Sequence, residues 1–296
     1  MAIPDRPVEV WRLPEEDRKA GRRALTWTVG PDGELAVLVV PEQFAAPAGS
    51  WPEAGLPYDA EVVVRGPQGE WRVPLSGVGV PPDLLALLPG GRVLLAGCRA
   101  EESADGWERN GLVFGPDGSP ARELQLGDDV QALTTDRDGR IWLAFGDEGN
   151  CGDNPLAQCG LLGLDTAGRI IWRPDFRELG DEPLEGLAAA TEGRRTWLAW
   201  YGERSHLTGI DPAEGKPVVM RLPARQPVGF AIAGERAVFL QSGGELLRCE
   251  RESRKGWREV RRERVSGLGE LDRRRAYGRD GVLWFRFGNG WYRVGV

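Results

Sequence analysis

The sequence predicts an all-β chain folded as a six-bladed β-propeller of four-stranded antiparallel blades, a single domain over residues 1–296. Three observations predict it. A pair of hairpins recurs along the chain, tryptophans recur at one place within the repeat, and an unpartnered strand at the start matches a missing strand at the end.

The segment Val8-Glu9-Val10-Trp11-Arg12-Leu13 reads as a strand with no hairpin of its own. A first hairpin follows at 24–40 around Pro31-Asp32-Gly33, and a second at 61–75 around Gly66-Pro67-Gln68-Gly69. Glycine and aspartate at such turns, flanked by apolar runs, are the usual hairpin signal. The pair returns at 84–97 and 111–126, and again at 130–145 and 160–172. It returns once more at 186–201 with 207–222, and at 228–241 with 246–265. The last copy, 274–287 around Arg279-Asp280-Gly281, is followed by a strand near 291–296 and then lacks a fourth. Placing residues 7–13 as that outer strand closes the ring and removes an exposed sheet edge. The blades then span 22–77, 81–127, 129–176, 184–223, 227–266, and 271–296 with 7–13. Trp142, Trp197 and Trp284 each fall three or four residues beyond the turn glycine of their copy.

Composition agrees. The 42 glycines and 22 prolines are spread along the chain, as many short strands with tight turns require. Twelve tryptophans against four tyrosines suit flat packing between sheets. No segment approaches the roughly 20 apolar residues of a membrane span, and no leader is legible, so a cytoplasmic monomer without membrane contact is expected. Four cysteines and a single histidine draw no zinc pattern. Cys98 and Cys249 are expected buried and unpaired on strands, with Cys151 and Cys159 close enough to bridge only under oxidising conditions. Residues 248–296 carry net +7 in a chain of net −7, which leaves −14 on residues 1–247. The overall acidity argues against nucleic acid as a partner, and the basic run falls on outer strands where charge discourages edge pairing.

The stretch Leu133-Thr-Thr-Asp-Arg-Asp-Gly-Arg-Ile-Trp-Leu-Ala-Phe-Gly146 closely resembles blades of two-component-regulator propellers, and more loosely those of the NHL and streptogramin-lyase group. The resemblance implies the fold and a sensing or binding role. It carries over no catalytic residue, because the matching positions are turn and core residues.

Candidate function lies on the face that bears the second-to-third-strand connections and the links between blades. Those connections are long in blades one to three: about 41–59, 99–110 and 146–158. Long loops on a rigid scaffold are where binding residues concentrate. The binding-face candidates are Trp51, Glu101, Glu102, Asp105, Trp107, Asp147, Glu148, Asn150, Asp153, Asn154 and His206. Their acidity suits a cationic protein or small-molecule partner. The links add Asp128, Asp129, Asp181 and Glu182. Asp83, Asp129 and Glu185 share one repeat position, three residues before an alanine of the innermost strand. Carboxylates there would either cap strand-entry amides or hold Ca²⁺ or Mg²⁺ at the channel mouth, an arrangement that resembles gluconolactonase-type propellers without matching their ligand set. His206 is a loop histidine with no nucleophile to serve, and Asp136-Arg-Asp138-Gly-Arg reads as a turn and not a calcium loop. The sequence therefore points first to a non-catalytic binding or protein-interaction module on the acidic loop face of blades one to three. The alternative is a metal-dependent hydrolase or lyase at the channel mouth.

Overall fold

The structure is a computed structural model, described over residues 5–44, 55–224, 226–253 and 256–296, with the backbone alone at 273 and 274. The chain opens with β1 (Val8–Arg12) and a short helix, α1 (Glu15–Lys19). Unit one follows as β2 (Arg22–Val29), β3 (Leu35–Pro41), β4 (Tyr58–Gly66) and β5 (Gly69–Val78). Unit two is β6 (Leu84–Leu88), β7 (Arg92–Ala96), β10 (Gly111–Phe114) and β11 (Pro120–Leu124), interrupted by a small hairpin, β8 (Glu102–Ser103) and β9 (Gly106–Trp107). Unit three is β12 (Val130–Thr135), β13 (Ile141–Phe145), β14 (Leu161–Leu164) and β15 (Ile170–Trp172). Its connection carries α2 (Asp147–Cys151), and α3 (Phe176–Leu179) leads out of it. Unit four is β16 (Glu185–Glu192), β17 (Arg195–Tyr201), β18 (Ser205–Ile210) and β19 (Val218–Arg221). Unit five is β20 (Gly229–Ala233), β21 (Arg236–Leu240), β22 (Glu245–Ser253) and β23 (Gly256–Arg264). The last strands are β24 (Leu271–Arg279), β25 (Val282–Phe287) and β26 (Gly290–Gly295).

Every unit is an antiparallel meander, and β1 pairs antiparallel with β26, so the first strand completes the last four-stranded unit. Two residues of β16 also bridge in parallel to β24, at Ala190–Gly278 and Thr191–Arg279, which joins unit four to the last strands. The core explains the arrangement. Burial falls from the inner strands to the outer ones: β6 and β13 are buried throughout, while the outermost β5 and β23 are mostly exposed. Middle strands have a sheet on each side and so read as unbroken apolar runs. Outer strands face water. The apolar core divides into clusters that each straddle two consecutive units, from Leu38 with Leu85 between units one and two to Trp27 with Trp291 and Trp11 between the last unit and the first.

In units three and four the recurring tryptophan has a physical cause, whereas Trp284 Nε1 in the last unit is buried without a hydrogen-bond partner among the described residues. Trp142 Nε1 donates to Asp136 Oδ2 at 3.0 Å, and Trp197 Nε1 donates to Glu192 Oε2 at 3.1 Å, so each indole is tied to an acid at the end of the preceding inner strand. The cross-strand partners are Gly163 and Gly209, and a Cβ at either would collide with the indole. Asp136 also accepts from the amides of Asp138 and Arg140, which makes it the hairpin-turn residue that the sequence indicates.

At the axis the inner strands meet closely. A Cβ on Gly278 would collide with the Phe230 carbonyl and stand 2.7 Å from Ala190 Cβ. Beside it Arg279, 4% exposed, donates through Nε to Val29 O at 3.0 Å, and through Nη1 to Thr135 O and to Thr191 Oγ1 at 2.8 Å. One guanidinium thus ties units one, three, four and six together at the turn end of the inner strands. Burial pulls its pKa down to about 10, against the upward pull of Asp280, Asp136 and Glu34, so it stays protonated at neutral pH. Above it the axis opens toward the loop face in a cavity of about 20 Å³, room for a water or so. No helix among the described residues is long and apolar enough to cross a membrane. All four cysteines are unpaired, with Cys98 and Cys249 buried as expected.

Candidate functional site

Antiparallel connectivity places the second-to-third-strand connections and the inter-unit links on one face, and this face carries the candidate residues. In unit two the connection folds back as the β8–β9 hairpin, closed by Glu108 N donating to Glu101 O at 2.9 Å. Glu101, Glu102 and Asp105 are exposed on it, and Trp107 is half-buried. In unit three the expected loop is instead α2, followed by a 3₁₀ turn at Ala157–Cys159. Asp147 sits in the first turn of α2 and accepts from Glu148 N at 3.0 Å; Asp153 beyond it is exposed.

Three candidates also hold contacts within the fold. Asn154 is buried, and its Oδ1 accepts from Leu156 N at 3.0 Å and Ala157 N at 3.4 Å, which holds the 3₁₀ turn. Asn150 Nδ2 donates to Leu184 O at 2.7 Å and pins α2 against unit four. Glu148 is paired with Arg99, whose Nε lies 3.0 Å from Asp128 Oδ1; Asp128 in turn accepts from Ala100 N at 2.9 Å. Trp51 lies outside the described residues.

His206 departs from the sequence reading of an incidental loop histidine. It lies on β18, stacked on Trp200 with ring centroids 4.4 Å apart, and its Nε2 is 2.9 Å from Asp181 Oδ2. Trp200 Nε1 is fixed by Thr208 Oγ1 at 2.8 Å. The set clamps the link before unit four onto its second and third strands. The sequence signal was available, since an acid in that link and a tryptophan opposite were both legible.

The carboxylates of the shared repeat position prove to be different from one another. Asp83 Oδ2 accepts from Cys98 N at 2.9 Å. Asp129 accepts from Gly149 N at 3.3 Å and from Gln131 Nε2 at 2.6 Å. Both accept backbone amides of the connection that folds over them, beyond β7 for Asp83 and in α2 for Asp129, and not the strand-entry amides that the sequence suggested. Arg275 enters the same region, donating to Thr26 Oγ1 at 2.7 Å and to Asp83 O. A cation close by and two carboxylates already accepting from amides weigh against a Ca²⁺ or Mg²⁺ site there, since such ions take six or more oxygens, waters included. Among the described residues no three His, Cys, Asp or Glu side chains gather as metal ligands.

Glu185 stands apart. It makes no hydrogen bond or ion pair with any described residue, and its carboxyl is pushed above the ordinary value of 4.5 by burial first, then by Asp147 and Asp129. A carboxyl whose pKa rises on folding binds its proton more tightly in the folded state. Its charge therefore lowers stability above the folded pKa, and the penalty vanishes below the unfolded one. Glu185→Gln is expected to melt higher than the parent at pH 7, with the gain lost as pH falls below about 4.5. Melting curves across pH check this; an unchanged melt at pH 7 would contradict the assignment.

No protein-family model matches the chain, and no curated protein matches it. Solved structures do. One is the crystal structure of a mitotic checkpoint complex, with a TM-score of 0.54 and 10% identity over 99% of this chain and 95% of that one. Another is a gluconolactonase from Xanthomonas campestris, with a TM-score of 0.52 and 14% identity over 92% of this chain and 86% of that one. At such identity the likeness speaks to fold alone: the chain has a β-propeller type of fold.

Proposed function

We propose that the six four-stranded units are the blades of one closed ring, and that the chain is a non-catalytic binding module docking a cationic partner protein through the acidic loop face of blades one to three. The observation that carries the docking is the state of the rim carboxylates. Glu101, Glu102 and Asp105 are exposed on the folded hairpin of unit two, Asp147 on α2 and Asp153 just beyond it, and none forms an ion pair with a described residue. Presented charge without local neutralisation steers a partner of opposite sign. Four unpaired thiols suit a reducing cytoplasm, and one of the similar folds is itself part of a protein complex.

The test neutralises those five residues together, to Gln or Asn, leaving Glu148 with Arg99. Association of a fluorescein-labelled oligo-arginine peptide, followed by stopped flow at low salt, should slow at least tenfold, on the scale of electrostatic steering. Salt dependence should flatten while the melting temperature holds. An unchanged association rate would refute docking on this face.

A further inference from the structure

Leu184 and Tyr201 are both large apolar or aromatic side chains left 40% exposed, and they are neighbours. Leu184 N donates to Tyr201 O at 2.8 Å, and Tyr201 is the cross-strand partner of Glu185. Asn150 Nδ2, reaching from α2 to Leu184 O, sets the acidic first turn of that helix alongside. The result is an apolar pair on the loop face at the junction of units three and four, beside Glu185, with Glu182 in the same link. Arg204 is the basic residue of the adjoining turn and stands next to Glu203; the other nearby cation, Arg99, is held by Glu148 and Asp128. The surface is therefore greasy at its centre and negative at its edge, and Asp147 and Asp129 set the negative field at Glu185.

We propose that this patch is the anchor point of the docking face, and that it takes a partner segment in which an arginine or lysine adjoins a leucine-like or aromatic side chain. The inference rests on the docking reading above and narrows it to one place. The apolar neighbour covers Leu184 and Tyr201, and the basic stem lies across Tyr201 with its head at Glu185 and Asp147. Long basic side chains cover apolar surface in this way while keeping the charge at a carboxylate. Burying a small central apolar contact within a charged rim is the usual layout of an interface hot spot.

Three labelled nonapeptides test it by fluorescence anisotropy: alternating arginine and leucine, alternating arginine and serine, and alternating glutamate and leucine. The parent protein should bind the arginine–leucine peptide at least tenfold tighter than the arginine–serine peptide, and the glutamate–leucine peptide not measurably. The double variant Leu184→Ser, Tyr201→Ser should erase that tenfold preference, so that the arginine–leucine peptide binds no tighter than the arginine–serine peptide. Glu185→Gln should weaken both basic peptides. Both replaced apolar residues are exposed, so thermal melts should match the parent and report any misfolding. If the parent shows no preference for leucine, or the double variant keeps it, the anchor is refuted while the acidic docking face stands. If neither basic peptide binds and neutralising the five rim carboxylates changes nothing, the docking reading itself fails.

Discussion

Deleting residues 1–13 is expected to remove most of the folding stability, by about 5 kcal/mol or more on the scale of large-to-small core changes. Trp11 and Leu13 are buried, and the deletion takes both. Trp11 packs on Trp291 with centroids 4.9 Å apart, and its Nε1 donates to Glu70 Oε2 of unit one at 2.9 Å. Glu9 accepts from Tyr292 Oη at 2.8 Å, and Leu13 N donates to Asn289 O at 3.1 Å. The loss also exposes the full edge of β26 to other chains. Urea unfolding of the truncated protein checks the magnitude, and a synthetic peptide of residues 1–13 added in trans should restore part of the lost stability. A truncated protein with the parent's midpoint would show that β1 does not seal the ring.

Arg279→Ala is expected to cost about 3 kcal/mol or more. The substitution leaves Val29 O, Thr135 O and Thr191 Oγ1 without this donor in a site that water barely reaches, and opens a void where four units meet. Arg279→Lys should lose less, since a single ammonium keeps the charge but cannot fork to three acceptors. Arg279→Met preserves volume and removes the desolvated charge, so it separates packing from hydrogen bonding. Unfolding midpoints for the three variants check the order Lys above Met above Ala. Equal midpoints for Ala and the parent would mean that the guanidinium does not hold the axis.

The architecture was legible because its causes are local and repeated. Turn glycines and apolar runs recur along the chain, the acid–tryptophan tie repeats in units three and four, and the orphan strand Val8–Arg12 had one place to go. The helices α1, α2 and α3 were not foreseen; each has four or five residues, too few for a 3.6-residue period to emerge. Position alone was a poorer guide at the face. Asp83, Asp129 and Glu185 look alike in the repeat, yet two meet backbone amides and one meets none. Which of them is free depends on loops folding over that position: Cys98 follows β7, Gly149 lies in α2, and in unit four the connection is only the short turn between Tyr201 and Ser205. Arg279 was read merely as a turn residue, because its three acceptors lie 88 to 250 positions away.

The seam between β1 and β26 also fixes an order of events during synthesis. Glu9 and Tyr292 are 283 positions apart, so the first strand leaves the ribosome long before its partner exists. At about 5–20 residues per second, it waits roughly 15 to 55 seconds. During that interval Trp11 lacks Trp291, and the apolar faces of Trp27 and Val37 have no last unit to rest on. Until β26 emerges, β1 has no sheet to join. Factors that shield apolar strands on the ribosome should therefore matter more for this protein than its finished stability suggests.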